Sequence, residues 1–161
     1  MREVRLRSAV LDTIQAEARA SYPEEACGFL YSPAVDSEGP VRTIVSASPA
    51  PNEVDAERGR RFVISAEGLR AAELAAAGRD EAVSGFYHSH PDHPAVPSAF
   101  DTEHAWPWYT YLVVSVNRAG DCVVGAFELA SEGRGFRPCP FQVDRGPGLP
   151  VATAAPSRGG A

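Results

Sequence analysis

Residues 85–91 read Gly-Phe-Tyr-His-Ser-His-Pro, an apolar run that carries two histidines one residue apart. Side chains on a β-strand alternate between its faces, so His88 and His90 lie side by side while Tyr87 and Ser89 point the other way. Such a strand has two ordinary outcomes. The imidazoles can be partly buried and hydrogen-bonded within the protein, or they can be two of the ligands of a metal ion.

Downstream comes Pro97-Ser98-Ala99-Phe100-Asp101. Two imidazoles, one carboxylate and a water satisfy tetrahedral Zn²⁺, and three protein ligands with one open position are the catalytic arrangement. Asp101 lies eleven residues beyond His90. A loop of that length, stiffened by Pro91, Pro94 and Pro97, can return a carboxylate to the strand end. Ser98-x-x-Asp101 before Thr102, Glu103 and His104 is also a normal helix-capping box. The two roles are compatible, because a helix start would orient the Asp101 side chain toward the metal.

The whole string, H-x-H-x₇-S-x₂-D, resembles the signature of the JAMM (MPN-plus) zinc peptidases. Glu25-Ala26-Cys27-Gly28 matches that family's upstream Glu-x-x-Gly. The resemblance runs from about residue 3 to 143 and looks like the compact prokaryotic branch. It implies one Zn²⁺ per chain on His88, His90 and Asp101, with Glu25 as proton carrier and Ser98 as donor to the reacting carbonyl oxygen. Glu24 is the competing glutamate, but a one-residue shift on an extended segment turns a side chain to the opposite face. The resemblance further implies an α/β fold of the MPN/JAMM (cytidine-deaminase-like) type, a mixed β-sheet flanked by two to three helices. It implies hydrolysis of the amide bond after the Gly-Gly terminus of a ubiquitin-like or sulfur-carrier protein. The rival functions are a non-catalytic scaffold for such a partner and a DNA-associated or cell-wall-related peptidase.

Bulk properties narrow these choices. A formal charge of −6 without a dense basic run argues against nucleic acid as partner. No apolar run is long enough to cross a membrane, and the start Met-Arg-Glu-Val-Arg-Leu-Arg lacks an apolar export core. A soluble, cytoplasmic protein is expected, with no membrane association. Cys27, Cys122 and Cys139 form no C-x-x-C pair and are expected as reduced thiols.

The chain suits one domain over residues 1–145, with a Gly/Pro/Ala-rich tail over 146–161 expected to be disordered. The alternation in residues 2–7 predicts an edge strand, followed by a helix from Ser8 that ends before Pro23. Strands are expected at 27–31, 41–47, 61–64, 82–90 and 136–143, with a hairpin at 109–129. Ser65 should cap a helix reaching Gly78, and residues 48–60 have the composition of an exposed loop. Asn52, Arg58, Arg60 and Arg61 in or beside that loop could meet an acidic partner. His93 and His104 are expected on the surface and on the helix respectively, and Trp106, Trp108, Tyr109 and Tyr111 in the core. The terminal Gly159-Gly160-Ala161 is itself a Gly-Gly followed by one residue.

Overall fold

The computed structural model describes residues 2–36, 38–52, 64–130, 135–145 and 152–153. Among the described residues ten strands and three α-helices follow in order: β1 (Glu3–Arg7), α1 (Ser8–Ser21), β2 (Cys27–Pro33), β3 (Val41–Ile44), β4 (Ser46–Ala50), α2 (Ala66–Ala77), β5 (Glu81–Pro91), α3 (Ala99–His104), β6 (Thr110–Val116), β7 (Cys122–Leu129), β8 (Phe136–Pro138), β9 (Phe141–Asp144) and β10 (Ala152–Thr153).

The strands form two sheets. The larger has the order β4-β2-β5-β6-β7-β8 and the smaller β10-β9-β1-β3. Every neighbouring pair of the larger sheet is antiparallel except β5–β6. In the smaller sheet β1 runs parallel to both β3 and β9. The expected edge strand is therefore a central one, with Val4 and Leu6 fully buried.

Two predicted strands divide between the sheets. Residues 41–44 pair with β1, whereas Ser46–Ala50 pair with β2, and the Val45 N–H donates to the Tyr31 carbonyl at the crossing (2.9 Å). Likewise Phe136–Pro138 pair with β7 and Phe141–Asp144 with β1, the chain switching sheets at Cys139-Pro140. Residues 48–50, expected in the loop, are thus strand.

The central strands β2, β5 and β6 are covered on both faces, so they read as near-continuous apolar runs. On one face Leu30, Tyr87, Leu112 and Val114 pack against Val10, Ile14 and Ala18 of α1 and against Val4, Leu6 and Phe141 of the smaller sheet. On the other, Phe29, Phe86, Tyr111 and Phe127 pack against Ala72 and Ala76 of α2. Arg7, not Ser8, is the N-cap of α1, without a side-chain cap; Ser65 caps α2 by accepting from the Gly68 N–H.

Within the stretch expected as a tail, Ala152 and Thr153 pair with Val143 and Gln142. The remainder of it, including Gly159-Gly160-Ala161, lies outside the described residues, as do Arg58, Arg60 and Arg61. Among the described residues no helix is long and apolar enough to cross a membrane.

Candidate metal centre

Parallel pairing of β5 with β6 cannot be closed by a tight turn, so the chain must cross over, and residues 92–109 make that crossover with α3 inside it. The crossover returns Asp101 to the end of β5. His88 Nε2, His90 Nε2 and Asp101 Oδ2 lie 3.0–3.1 Å from one another, and all three residues are buried.

Asp101 is held from its own helix start. The Ser98 N–H donates to Asp101 Oδ2 (2.7 Å) and the Asp101 N–H donates to Ser98 Oγ (3.1 Å). The same carboxylate oxygen completes the capping box and faces both imidazoles, so capping leaves Asp101 turned toward His88 and His90.

Register brings in the glutamate. Cys27 pairs with His88 and the Ser89 N–H donates to the Ala26 carbonyl (2.9 Å), which sets Glu25 opposite His90. Glu25 Oε1 lies 3.8 Å from His90 Nε2. Glu25 is 4% exposed whereas Glu24 is exposed, which separates the two candidates. The Ser89 side chain, on the far face, accepts from the Ala26 N–H (2.8 Å) and closes a two-bond clamp between the glutamate segment and the histidine strand.

Gly28 is required by packing. A Cβ there would collide with the Ser48 carbonyl oxygen and the Tyr87 ring. The Glu-x-x-Gly spacing thus joins a glutamate facing the histidines to a glycine on which Tyr87 rests.

The donor set fits a metal ion. The His90 Nδ1 lies 2.9 Å from the Pro94 carbonyl, which can only accept, so Nδ1 carries the hydrogen and Nε2 of the neutral ring is a bare lone pair. That lone pair faces the Asp101 carboxylate oxygen at 3.1 Å, an arrangement that needs a cation or a proton between the two. Bonds of about 2.0–2.1 Å at tetrahedral angles would place ligand atoms roughly 3.3 Å apart, close to the spacing present. Glu25 Oε2 and Asp101 Oδ1 are buried acceptors without a hydrogen-bond partner among the described residues.

The electrostatics agree. Burial pushes the His88 imidazole below its usual value, keeping it in the neutral, ligating form. Burial also disfavours the charged forms of His90 and Asp101, but their contacts outweigh it: Asp101 and the Pro94 carbonyl raise His90, and His88 together with His90 holds Asp101 well below the usual carboxylate range. Burial pushes Glu25 up to about 8, with His90 lowering it and Asp101 raising it to smaller extents.

Other expected residues fall into place around this centre. His104 ends α3, its Nδ1 2.9 Å from the Phe100 carbonyl, and stays away from the three donors. His93 is exposed but lines the cavity beside His90 and Glu25. Trp106, Tyr109 and Tyr111 pack around Phe86. Trp106 and Tyr111 also line a second cavity that reaches Asp101.

Arg42 had no role in the sequence reading. It is fully buried and donates to the Ser84 and Trp108 carbonyls and to Thr110 Oγ1, fixing the far end of the crossover that carries Asp101. An arginine inside an alternating strand was its one sequence signal. The Pro94 carbonyl, a backbone group, had none.

The profile of the family described as prokaryotic homologs of the JAB domain matches residues 7–128. The chain belongs to this prokaryotic JAB family. A protein named Desampylase from Haloferax volcanii is 38% identical over 110 residues, covering 68% of this chain and 75% of the relative. Solved structures match the fold. The solution structure of a Desulfitobacterium hafniense protein superposes with TM-score 0.75 at 25% identity, covering 89% of this chain and 94% of that one. A Salinibacter ruber protein superposes with TM-score 0.67 at 35% identity, covering 93% and 97%. As a JAB-family chain similar to a desampylase, it is a hydrolase of the JAMM type with a metal centre.

Proposed function

We propose that this chain is a zinc-dependent peptidase or isopeptidase that hydrolyses the amide bond after the Gly-Gly terminus of a ubiquitin-like or sulfur-carrier protein. The observation that carries the reading is the buried triangle of His88 Nε2, His90 Nε2 and Asp101 Oδ2 with the Glu25 carboxylate 3.8 Å from one corner. The Haloferax relative, named for removing a conjugated protein modifier, supports a partner of the ubiquitin-like class.

His88, His90 and Asp101 would hold one zinc ion. Zinc bound there supplies a Lewis acid for the carbonyl and a water ionising at about pH 7. The chain's own groups perform the proton traffic. Glu25 accepts a proton from the attacking water as its oxygen adds to the carbonyl carbon, then passes that proton to the departing nitrogen as the C–N bond breaks. Ser98 donates its hydroxyl hydrogen to the carbonyl oxygen as negative charge gathers there, while its Oγ remains the acceptor for the Asp101 N–H.

An extended arm suits such a centre because glycine alone lets a substrate backbone approach closely from either side. One catalytic domain over residues 1–145 carries these groups, and Cys27, Cys122 and Cys139 as reduced thiols suit a cytoplasmic setting.

The test is incubation of the zinc-loaded chain with proteins ending in Gly-Gly followed by a further residue or conjugate, read by intact mass. Loss of the group after Gly-Gly, abolished by chelation, is the expected result. Stable binding of the same proteins without cleavage would favour a scaffold instead.

A further inference from the structure

Helix α3 has six residues, and a helix that short does not hold itself together in water. It must be fastened at both ends. The capping box ties its start, yet Asp101 Oδ2 in that box also has to face the two imidazoles. At its end the Ala105 N–H reaches the Thr102 carbonyl only at 3.5 Å.

Two residues past the helix a side chain takes over. The Trp106 N–H donates to the Tyr111 hydroxyl (2.7 Å), and the same hydroxyl donates to the Trp106 carbonyl (3.3 Å). A phenol oxygen can do both, and burial raises the Tyr111 phenol above its usual value, so its hydrogen stays in place. The ring that carries this hydroxyl is fixed. Tyr111 is buried, lies beside Phe86 in the β5–β6 register, and packs on Phe86 and Phe136 with ring centroids 5.5 and 5.0 Å away. Phe86, His88 and His90 share one face of β5 by the period of two, so Tyr111 stands on the face that carries the imidazoles.

We propose that Tyr111 is a positioning residue for the metal centre: its hydroxyl clasps Trp106, fastens the end of α3 to β6, and so holds Asp101 and Ser98 at the histidines. The inference rests on reading His88, His90 and Asp101 as a metal site. Without the hydroxyl, the Trp106 N–H loses its acceptor and the segment shifts to find another. Asp101 lies five residues upstream on a helix with little stability of its own, so the shift reaches the carboxylate.

The test is Tyr111→Phe in the full chain, which keeps the ring in the core and removes only the oxygen. Tyr31→Phe is the control. Tyr31 is buried in the same apolar cluster, but its hydroxyl bonds Ser48 Oγ (2.7 Å) between β2 and β4. Zinc affinity, measured by competition with a chromogenic chelator, should weaken about tenfold in Tyr111→Phe, the lower end of the range for groups that orient metal ligands, and stay unchanged in Tyr31→Phe. In metal-free protein, amide exchange over residues 99–106 should quicken in Tyr111→Phe and not in Tyr31→Phe. In the unmodified chain the Trp106 amide should exchange as slowly as the amides of β6.

Equal zinc affinity in the unmodified chain and Tyr111→Phe overturns the inference. So does a comparable loss in Tyr31→Phe, the mark of a general loosening of the core. A loss confined to KM for a Gly-Gly conjugate, at unchanged zinc affinity, would make Tyr111 a substrate contact and overturn it too. If Tyr111→Phe does not fold, the unmodified chain decides: a Trp106 amide exchanging as fast as those of the exposed turn at 118–119 overturns the inference. Failure of the unmodified chain to bind zinc overturns the metal reading and this inference together, whereas zinc binding with an unmoved affinity in Tyr111→Phe overturns the inference alone.

Discussion

At the residue scale the account turns on Glu25. Replacing it with Gln keeps the shape and removes the proton carrier, so zinc content should stay near one per chain while turnover falls by about 10²- to 10⁴-fold. Metal analysis and mass-based cleavage assays on the same sample check this. Glu25 also predicts a pH effect in chelated protein. Its folded value of about 8 lies above the ordinary 4.5. Below the ordinary value the group is neutral in both states and neutral burial costs little. Between the two values the unfolded chain ionises first, so each pH unit favours unfolding by about 1.4 kcal/mol. In the metal-free protein, Glu25→Gln should therefore have little charge-related effect at about pH 4, stabilise increasingly through neutrality, and level off above about pH 8. Melting curves across that range would refute the burial argument if the difference between the two proteins stayed flat.

At the element scale, the site depends on three connections: the β2–β5 register, the crossover with α3, and the contact of Tyr87 with Gly28. Gly28→Ala puts a methyl group where the Ser48 carbonyl and the Tyr87 ring already sit. A cost of about 3 kcal/mol is expected, which for a chain of this size lowers the melting temperature by on the order of 10 °C. Wild-type stability by thermal denaturation would contradict the packing. Most of these elements were legible in the sequence because each is a local pattern. Examples are the helical faces of Val10-Ile14-Ala18 and Ala72-Ala76, the Ser65 and Ser98 starts, and the turn at Asn117–Asp121, where Asn117 Oδ1 accepts from the Asp121 N–H.

Partner choice was not legible. Alternation in residues 2–7 shows that Val4 and Leu6 share a face, but not that strands lie on both sides of β1. In 41–47 the period of two continues through the change of sheet and nothing marks it, whereas in 136–143 Pro140 and a one-residue slip of the alternation, from Phe136 to Cys139, Phe141 and Val143, fall at the change. The candidate site was more legible than the topology around it. Spacing along one strand and one helix turn carries the histidines, Ser98 and Asp101. Glu25, by contrast, depends on long-range register, and the residue reading alone left it against Glu24.

At the scale of the whole molecule, the metal would act as a tie between β5 and the crossover, so binding and folding are coupled. An ion present at about a thousand times its dissociation constant adds roughly 4 kcal/mol to stability. Removal by chelator should lower the melting temperature by on the order of 10 °C, and zinc should restore it. Asp101→Asn should weaken both the binding and this thermal response, since it removes the charge facing the two imidazoles. A melting temperature indifferent to chelator would argue against a site bridging these elements.

The most direct test of the central claim is to titrate zinc into chelated protein while following bound metal and cleavage of a Gly-Gly conjugate together. Both should rise in parallel and saturate at one zinc per chain. Cleavage that persists without metal, or a fully loaded site that cleaves no such conjugate, would contradict the account.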